Sequence, residues 1–212
     1  NGKKLVYIVN AVERPLVVLR ELQYIMENEV IGKELQKYNI YFDSTSGITA
    51  INAYNKILGD EVLNLPQNFK TITVEERDEV FNMLKSKQPT FLMLTSPQFT
   101  QGSFAIYADK LLPDSRTNLM FCSYVSECIT NTINLPHGTQ MMYKGMKLTK
   151  NCTMNKVGNF SSHASISNLK VLLDSCCNKN TILFFHGTNA AKDNMVEVFS
   201  GDTATAYAML KG

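Results

Sequence analysis

Only three histidines occur in this chain of 212 residues, His137, His163 and His186, and none forms an HxH, HxxxH or HxxEH pair. Zinc needs about four ligands, so no self-contained metal site can be read from local spacing. The five cysteines, Cys122, Cys128, Cys152, Cys176 and Cys177, form no CxxC pair and no zinc-ribbon spacing. They are expected to be free, mostly buried thiols in a reducing compartment. No GxGxxG follows the first apolar run, which argues against a Rossmann-type nucleotide site. No window approaches the roughly 18 apolar residues of a membrane span, and no signal peptide is visible. The chain is therefore read as cytoplasmic, with no membrane partner. The net charge is only +2, too little to mark a nucleic-acid binder, so any basic groove must be local. What is present is 44% hydrophobic and 19% charged residues, enough for a substantial core.

Apolar runs of strand type alternate with helical periodicity through residues 4–124. The runs are Lys4–Asn10, Tyr38–Asp43, Pro89–Thr95 and Asn118–Tyr124. Between them, Pro15 opens a helix to about Asn28, and a further helical piece runs from Val30 to Lys37. Ser44 to Gly47 cap a helix to about Leu58. Thr73–Glu76 forms a capping-box pattern before a helix to Lys87, and Ser103–Leu112 is another helix ended by Pro113. The alternation predicts an α/β domain with a parallel sheet and helices on both faces. After about residue 133 the texture changes. Residues 139–157 read as short antiparallel strands with turns at Lys144-Gly145 and Lys150-Asn151. A helix follows His163, then a strand at Thr181–Phe185, a helix at 190–199 and a strand at 203–210. The expected domains are thus 1–133 and 134–212, the second being small for an independent core.

Several residues are candidates for chemistry. His163 follows Ser161-Ser162 at a predicted helix start, where backbone N–H groups can hold a phosphate; a hydrogen-bonding loop histidine is the plainer alternative. His186 ends a strand and precedes Gly187; it suits zinc or simply caps the strand. Asp43 ends the second strand, where α/β proteins build sites. Such a carboxylate can orient a histidine and raise its pKa, or cap the following helix. Gly102, in the Gln98–Ser103 turn, permits close approach of a ligand backbone.

These features, in this order, resemble the β-CASP branch of the metallo-β-lactamase superfamily, whose members process RNA or DNA. Val9–Arg14 before a helix is similar to that family's strand–Ala-Val-x-Arg–helix opening. Ile40-Tyr-Phe-Asp-Ser44 resembles its acidic motif A, and Leu94–Gly102 its glycine-rich turn. Leu112–Arg116 with Phe121–Tyr124 resembles the "LLPDPRN…FVGYQ" element. Phe160–Ser165 resembles "FSAHAD", motif B, and Phe184-Phe-His-Gly187 resembles "LVHGE", motif C.

The resemblance implies that His186 binds zinc and that His163 is the general acid, oriented by Asp43. Two zinc ions would activate a water and neutralise the scissile phosphate. Ser161, Ser162 and Gly102 would contact the nucleic-acid backbone. A histidine at motif C implies the RNA-processing type. The sequence departs from the pattern at Thr45 (for Pro), Pro97 (for Gly), Ser165 (for Asp) and Thr188 (for Glu), around the site. The family's HxHxDH is not in this chain. The expectation is a β-CASP domain followed by the C-terminal segment of a metallo-β-lactamase-like αββα sandwich, in a fragment that is inactive alone. RNA is the expected partner, with single-stranded DNA second. The missing N-terminal metallo-β-lactamase half and a second copy in a homodimer are the expected protein partners. The competing reading is a non-catalytic scaffold or RNA-binding module.

Overall fold

A computed structural model describes residues 2–12, 14–59, 65–96, 99–123, 125–157, 165–175, 181–184, 189–199 and 205–208. The chain divides into two compact units, Asn1–Ser161 and Ser162–Gly212. The first is built on six strands: β1 (Lys4–Val9), β2 (Asn39–Asp43), β3 (Phe69–Thr71), β4 (Thr90–Thr95), β5 (Thr117–Phe121) and β8 (Thr153–Lys156). They lie in the order β3-β2-β4-β1-β5-β8, and every pairing is parallel.

Parallel strands covered on both sides must be apolar on both sides, and the sequence obeys this. In β4 all six residues are buried. Leu92 and Leu94 enter one core with Val6, Ile8, Leu119 and Phe121. Their neighbours Phe91 and Met93 enter the opposite core with Val9, Ile40, Phe42 and Cys122. This is the two-residue alternation of a strand, with a hydrophobic layer waiting on each face.

Helices α1 (Arg14–Asn28), α2 (Gly32–Leu35) and α3 (Thr45–Leu58) serve the second core through Leu16, Leu19, Leu22 and Ile51. Helices α4 (Arg77–Lys85), α5 (Phe104–Leu111) and α6 (Glu127–Asn134) serve the first through Val80, Leu84, Tyr107, Leu111 and Ile129. Ser44 caps α3, its hydroxyl accepting from the Gly47 amide at 3.1 Å. The box at Thr73 is half formed: the Thr73 amide donates to the Glu76 carboxylate at 2.9 Å, and the helix proper opens only at Arg77.

The region after residue 133 differs in one respect from its sequence reading. Strands β6 (Thr139–Tyr143) and β7 (Met146–Lys150) do form an antiparallel hairpin turning at Lys144-Gly145. The third piece, β8, is not antiparallel; it extends the parallel sheet alongside β5. The chain is redirected where the amides of Asn151 and Cys152 both donate to the Leu112 carbonyl, at 2.9 and 3.0 Å. Cys152 and Met154 then bury in the first core. Hairpin and β8 lie with β1–β5 in the unit Asn1–Ser161.

The second unit contains α7 (Ile166–Asp174), β9 (Thr181–Phe184), α8 (Asn189–Phe199) and β10 (Thr205–Ala208). β9 and β10 pair in parallel.

Candidate functional site

The register of the sheet sets the carboxyl ends of β1, β2, β4 and β5 side by side: Val9 faces Thr95, Leu94 faces Asp43, and Ile8 faces Phe121. Ligand sites of open α/β sheets form on this edge, beyond the strand ends, because helices leave it uncovered.

Asp43 is the buried acid of the edge, 1% exposed. Burial of a carboxylate requires compensation, and two groups provide it with three bonds. Arg77, first residue of α4, grips it with two parallel bonds, Nε to Oδ2 at 2.7 Å and Nη2 to Oδ1 at 2.9 Å. The Tyr107 hydroxyl of α5 donates to Oδ2 at 2.7 Å. Burial first, and then this bond to a carboxylate, push the Tyr107 hydroxyl far above its ordinary pKa, so it stays a donor. The same carboxylate holds the Arg77 guanidinium above its usual range. Both acceptor positions of Oδ2 are used, and Oδ1 retains one. Asp43 is thus neither a bare catalytic carboxylate nor a helix cap, that place being taken by Ser44.

The main chain of Asp43 is also tied down. The Ser103 hydroxyl donates to its carbonyl and accepts from the Thr95 amide at 2.9 Å, linking the ends of β2 and β4. Gly102, just before it, has φ +70°, and a Cβ there would stand 2.4 Å from the Thr95 carbonyl oxygen. Only glycine fits this turn, which folds back on Ser96, itself at φ +71°. The close neighbour of Gly102 is therefore its own chain.

Arg77, Tyr107 and Ser103 were missed in the sequence. A buried carboxylate at a strand end calls for a cation, but Arg77 lies 34 residues and Tyr107 64 residues away. Nothing in local spacing joins them. Ser161, Ser162, His163 and His186 lie outside the described residues. Ser165, next in the motif B stretch, accepts a hydrogen bond from the Asn168 amide at 3.2 Å at the start of α7. Serine and aspartate are both good N-caps, so this departure preserves the helix start. Thr45, likewise, opens α3 at the position where proline is also favoured.

Of the cysteines described, Cys122 and Cys152 are buried and Cys128 is exposed, all as free thiols. Burial pushes Cys122 and Cys152 up to about 11, which keeps them protonated and unreactive. Among the described residues no helix is long and apolar enough to cross a membrane.

The geometry defines a class: an open parallel α/β sheet with its polar network on the carboxyl edge. Residues 17–128, more than half of the chain, match the model of the Beta-Casp domain. The chain belongs to this family, a branch of the metallo-β-lactamase superfamily. No curated protein matches it. The Beta-Casp domain points to nucleic-acid-processing nucleases, which generally bind nucleic acid and depend on zinc. The described residues do not fit zinc. No group of three or more histidine, cysteine or carboxylate residues among them could hold a metal ion, and Asp43 is engaged by an arginine and a tyrosine.

Proposed function

We propose that this chain is the nucleic-acid-binding and part-active-site portion of a zinc-dependent RNA-processing nuclease that hydrolyses phosphodiesters. The observation that carries the reading is Asp43. The acidic element Ile40–Ser44 lies inside the region matched to the Beta-Casp domain and ends β2 on the edge of the sheet where sites form. In this reading His163 protonates the leaving oxygen, Asp43 supports it, and Ser161, Ser162 and Gly102 contact the nucleic-acid backbone. His186 is one zinc ligand, and the other ligands come from a metallo-β-lactamase half that joins this chain. RNA is the preferred substrate over single-stranded DNA, the setting is the cytoplasm, and homodimerisation is compatible with it.

The test is RNA cleavage and zinc content of the full-length protein. Loss of a general acid costs about 10²–10⁴-fold in rate. His163→Ala should therefore cut cleavage by that factor with zinc retained, while His186→Ala should lower zinc content as well. Unchanged cleavage by His163→Ala would remove the general-acid assignment.

A second reading, a non-catalytic scaffold or RNA-binding module, is favoured by one observation. The Asp43 carboxylate already has three donors from its own unit, so it needs no catalytic duty to explain its burial. Full-length protein that binds RNA and never cleaves it would support this second reading.

A further inference from the structure

Charge is distributed unevenly in the chain. Between Glu127 and Asp174 there is no acidic residue, yet five lysines occur, Lys144, Lys147, Lys150, Lys156 and Lys170. With a whole-chain charge of +2, everything outside that stretch sums to −3. The β6–β7 hairpin lies inside it. An antiparallel hairpin on a core has one dry and one wet face. Here Met141, Tyr143 and Leu148 turn to the first core, and the pairs Gln140–Thr149 and Met142–Lys147 form the other side. Lys147 is exposed, and its partner Met142 is 62% exposed. A cation beside a bare thioether, with no acid on that face, is not an ordinary solvated surface. It matches a ligand that presents anions and flat apolar rings in alternation.

The hairpin is also held rigidly. The Tyr143 hydroxyl donates to the carbonyls of Phe99 and Ala105, at 3.0 and 2.8 Å, on either side of the Gly102 turn. Lys144 donates to the same Ala105 carbonyl at 2.9 Å. At the far end the buried Lys150 ammonium donates to the carbonyls of Ile133 and Leu135, closing the C-terminal end of α6. The tip is thereby fixed next to the carboxyl edge of the sheet, with its conformational cost met before binding.

We propose that the outer face of the β6–β7 hairpin binds single-stranded nucleic acid, Lys147 pairing with a backbone phosphate and Met142 packing on a base. This rests on the nucleic-acid-processing reading above. The hairpin that carries this face is fastened, through Tyr143 on its other side, to the residues flanking the Gly102 turn.

The experiment is binding of fluorescent oligouridine RNA to the 212-residue chain across a salt series. Each single-strand phosphate contact adds about 0.7 to the salt slope. Lys147→Ala should lower the slope by about that amount, and Lys147→Glu should weaken low-salt binding about tenfold. Met142→Ala should weaken binding about threefold with the slope unchanged, the mark of stacking rather than charge. Lys56→Glu, an equal charge change at an exposed site on α3, is the control. If Lys56→Glu and Lys147→Glu weaken binding equally, the attraction is only net charge and the hairpin assignment is overturned. Normal binding by Lys147→Glu overturns the hairpin alone and leaves RNA binding by the chain intact. Failure of the unaltered chain to bind RNA, with or without capture by phosphatidylserine vesicles, overturns both.

Discussion

Two ends of one sheet hold a carboxylate in the grip of an arginine, and they differ instructively. At the carboxyl end Asp43 is held by Arg77 and Tyr107, and the cluster is neutral overall. At the amino end Asp114 receives Lys4 from the start of β1 and the fork of Arg116, Nε at 3.0 Å and Nη2 at 2.8 Å. That cluster keeps a net positive charge, and Asp114 is 17% exposed against 1% for Asp43. Arg116 is two residues from its acid, and its amide also bonds Asp114 at 2.9 Å, so half of this cluster is a local turn. Arg116 also reaches the Ser86 carbonyl at 2.9 Å, fastening the end of α4. The Asp43 cluster has no local component. It exists only because three elements converge at the edge where an α/β sheet can take a ligand. Similar residue chemistry therefore does two jobs: one network closes the bottom of the sheet, and the other sits where a site can be built.

The comparison breaks most sharply on activity. In the full-length protein Asp43→Asn should reduce RNA cleavage, by no more than the ~10²–10⁴-fold that the general acid itself contributes, whereas Asp114→Asn should leave the cleavage rate of folded protein unchanged. Equal effects would reduce both clusters to staples. Stability comes next. Removing one partner of a buried ion pair costs about 3–5 kcal/mol, and Asp114→Ala should approach this by stranding Lys4, which is 2% exposed. Arg77→Met should cost somewhat less, about 2–4 kcal/mol, because the Tyr107 hydroxyl still donates to the Asp43 carboxylate. Urea unfolding midpoints of the 212-residue chain would rank the two, and an Arg77→Met midpoint matching the wild type would mean that Asp43 is not held by this pair.

Smaller effects sharpen the contrast. Tyr107→Phe removes one hydrogen bond to a carboxylate and keeps the ring packed 5.0 Å from Phe81. It should cost about 1.5–3 kcal/mol without disturbing the fold, as near-ultraviolet circular dichroism and unfolding would report. Last is pH. Burial opposes ionisation of Asp114, but the bonds from Arg116 and Lys4 outweigh it and hold the carboxyl well below the usual carboxylate range. A depressed folded pKa contributes stability above the unfolded value of about 3.9, lost as pH falls below it. Between about pH 4 and pH 2, wild type should lose stability more steeply than Asp114→Asn.

The two clusters also separate what is legible in the sequence from what is not. The four principal strands were readable because parallel strands buried on both faces are near-continuous apolar runs, as in Thr90–Thr95. Ser44 and Pro15 announced helix starts through chemistry confined to one turn. The apolar run Tyr38–Asp43 put Asp43 at the end of a strand, where it stands. The direction of β8 was not readable: four residues of weak pattern carry no sign of parallel or antiparallel pairing, and the Leu112 carbonyl that redirects the chain lies 40 positions back. His163 and His186, read as acid and zinc ligand, fall outside the described residues, and their roles rest on the motifs.

What the amino-acid sequence determined alone is local: periodicity, caps, turns and the residue types at strand ends, because each depends on neighbours within a few residues. What only the tertiary structure decided is which charges meet. A carboxylate cannot remain dry and ionised without a donor, and the donors of Asp43 come from α4 and α5, brought to it by the order β3-β2-β4-β1-β5-β8. The hairpin face was likewise decided in three dimensions: the strand alternation was visible in the chain, but which side met the core depended on the aromatic cluster of Phe99, Phe104 and Tyr143 against which it packs.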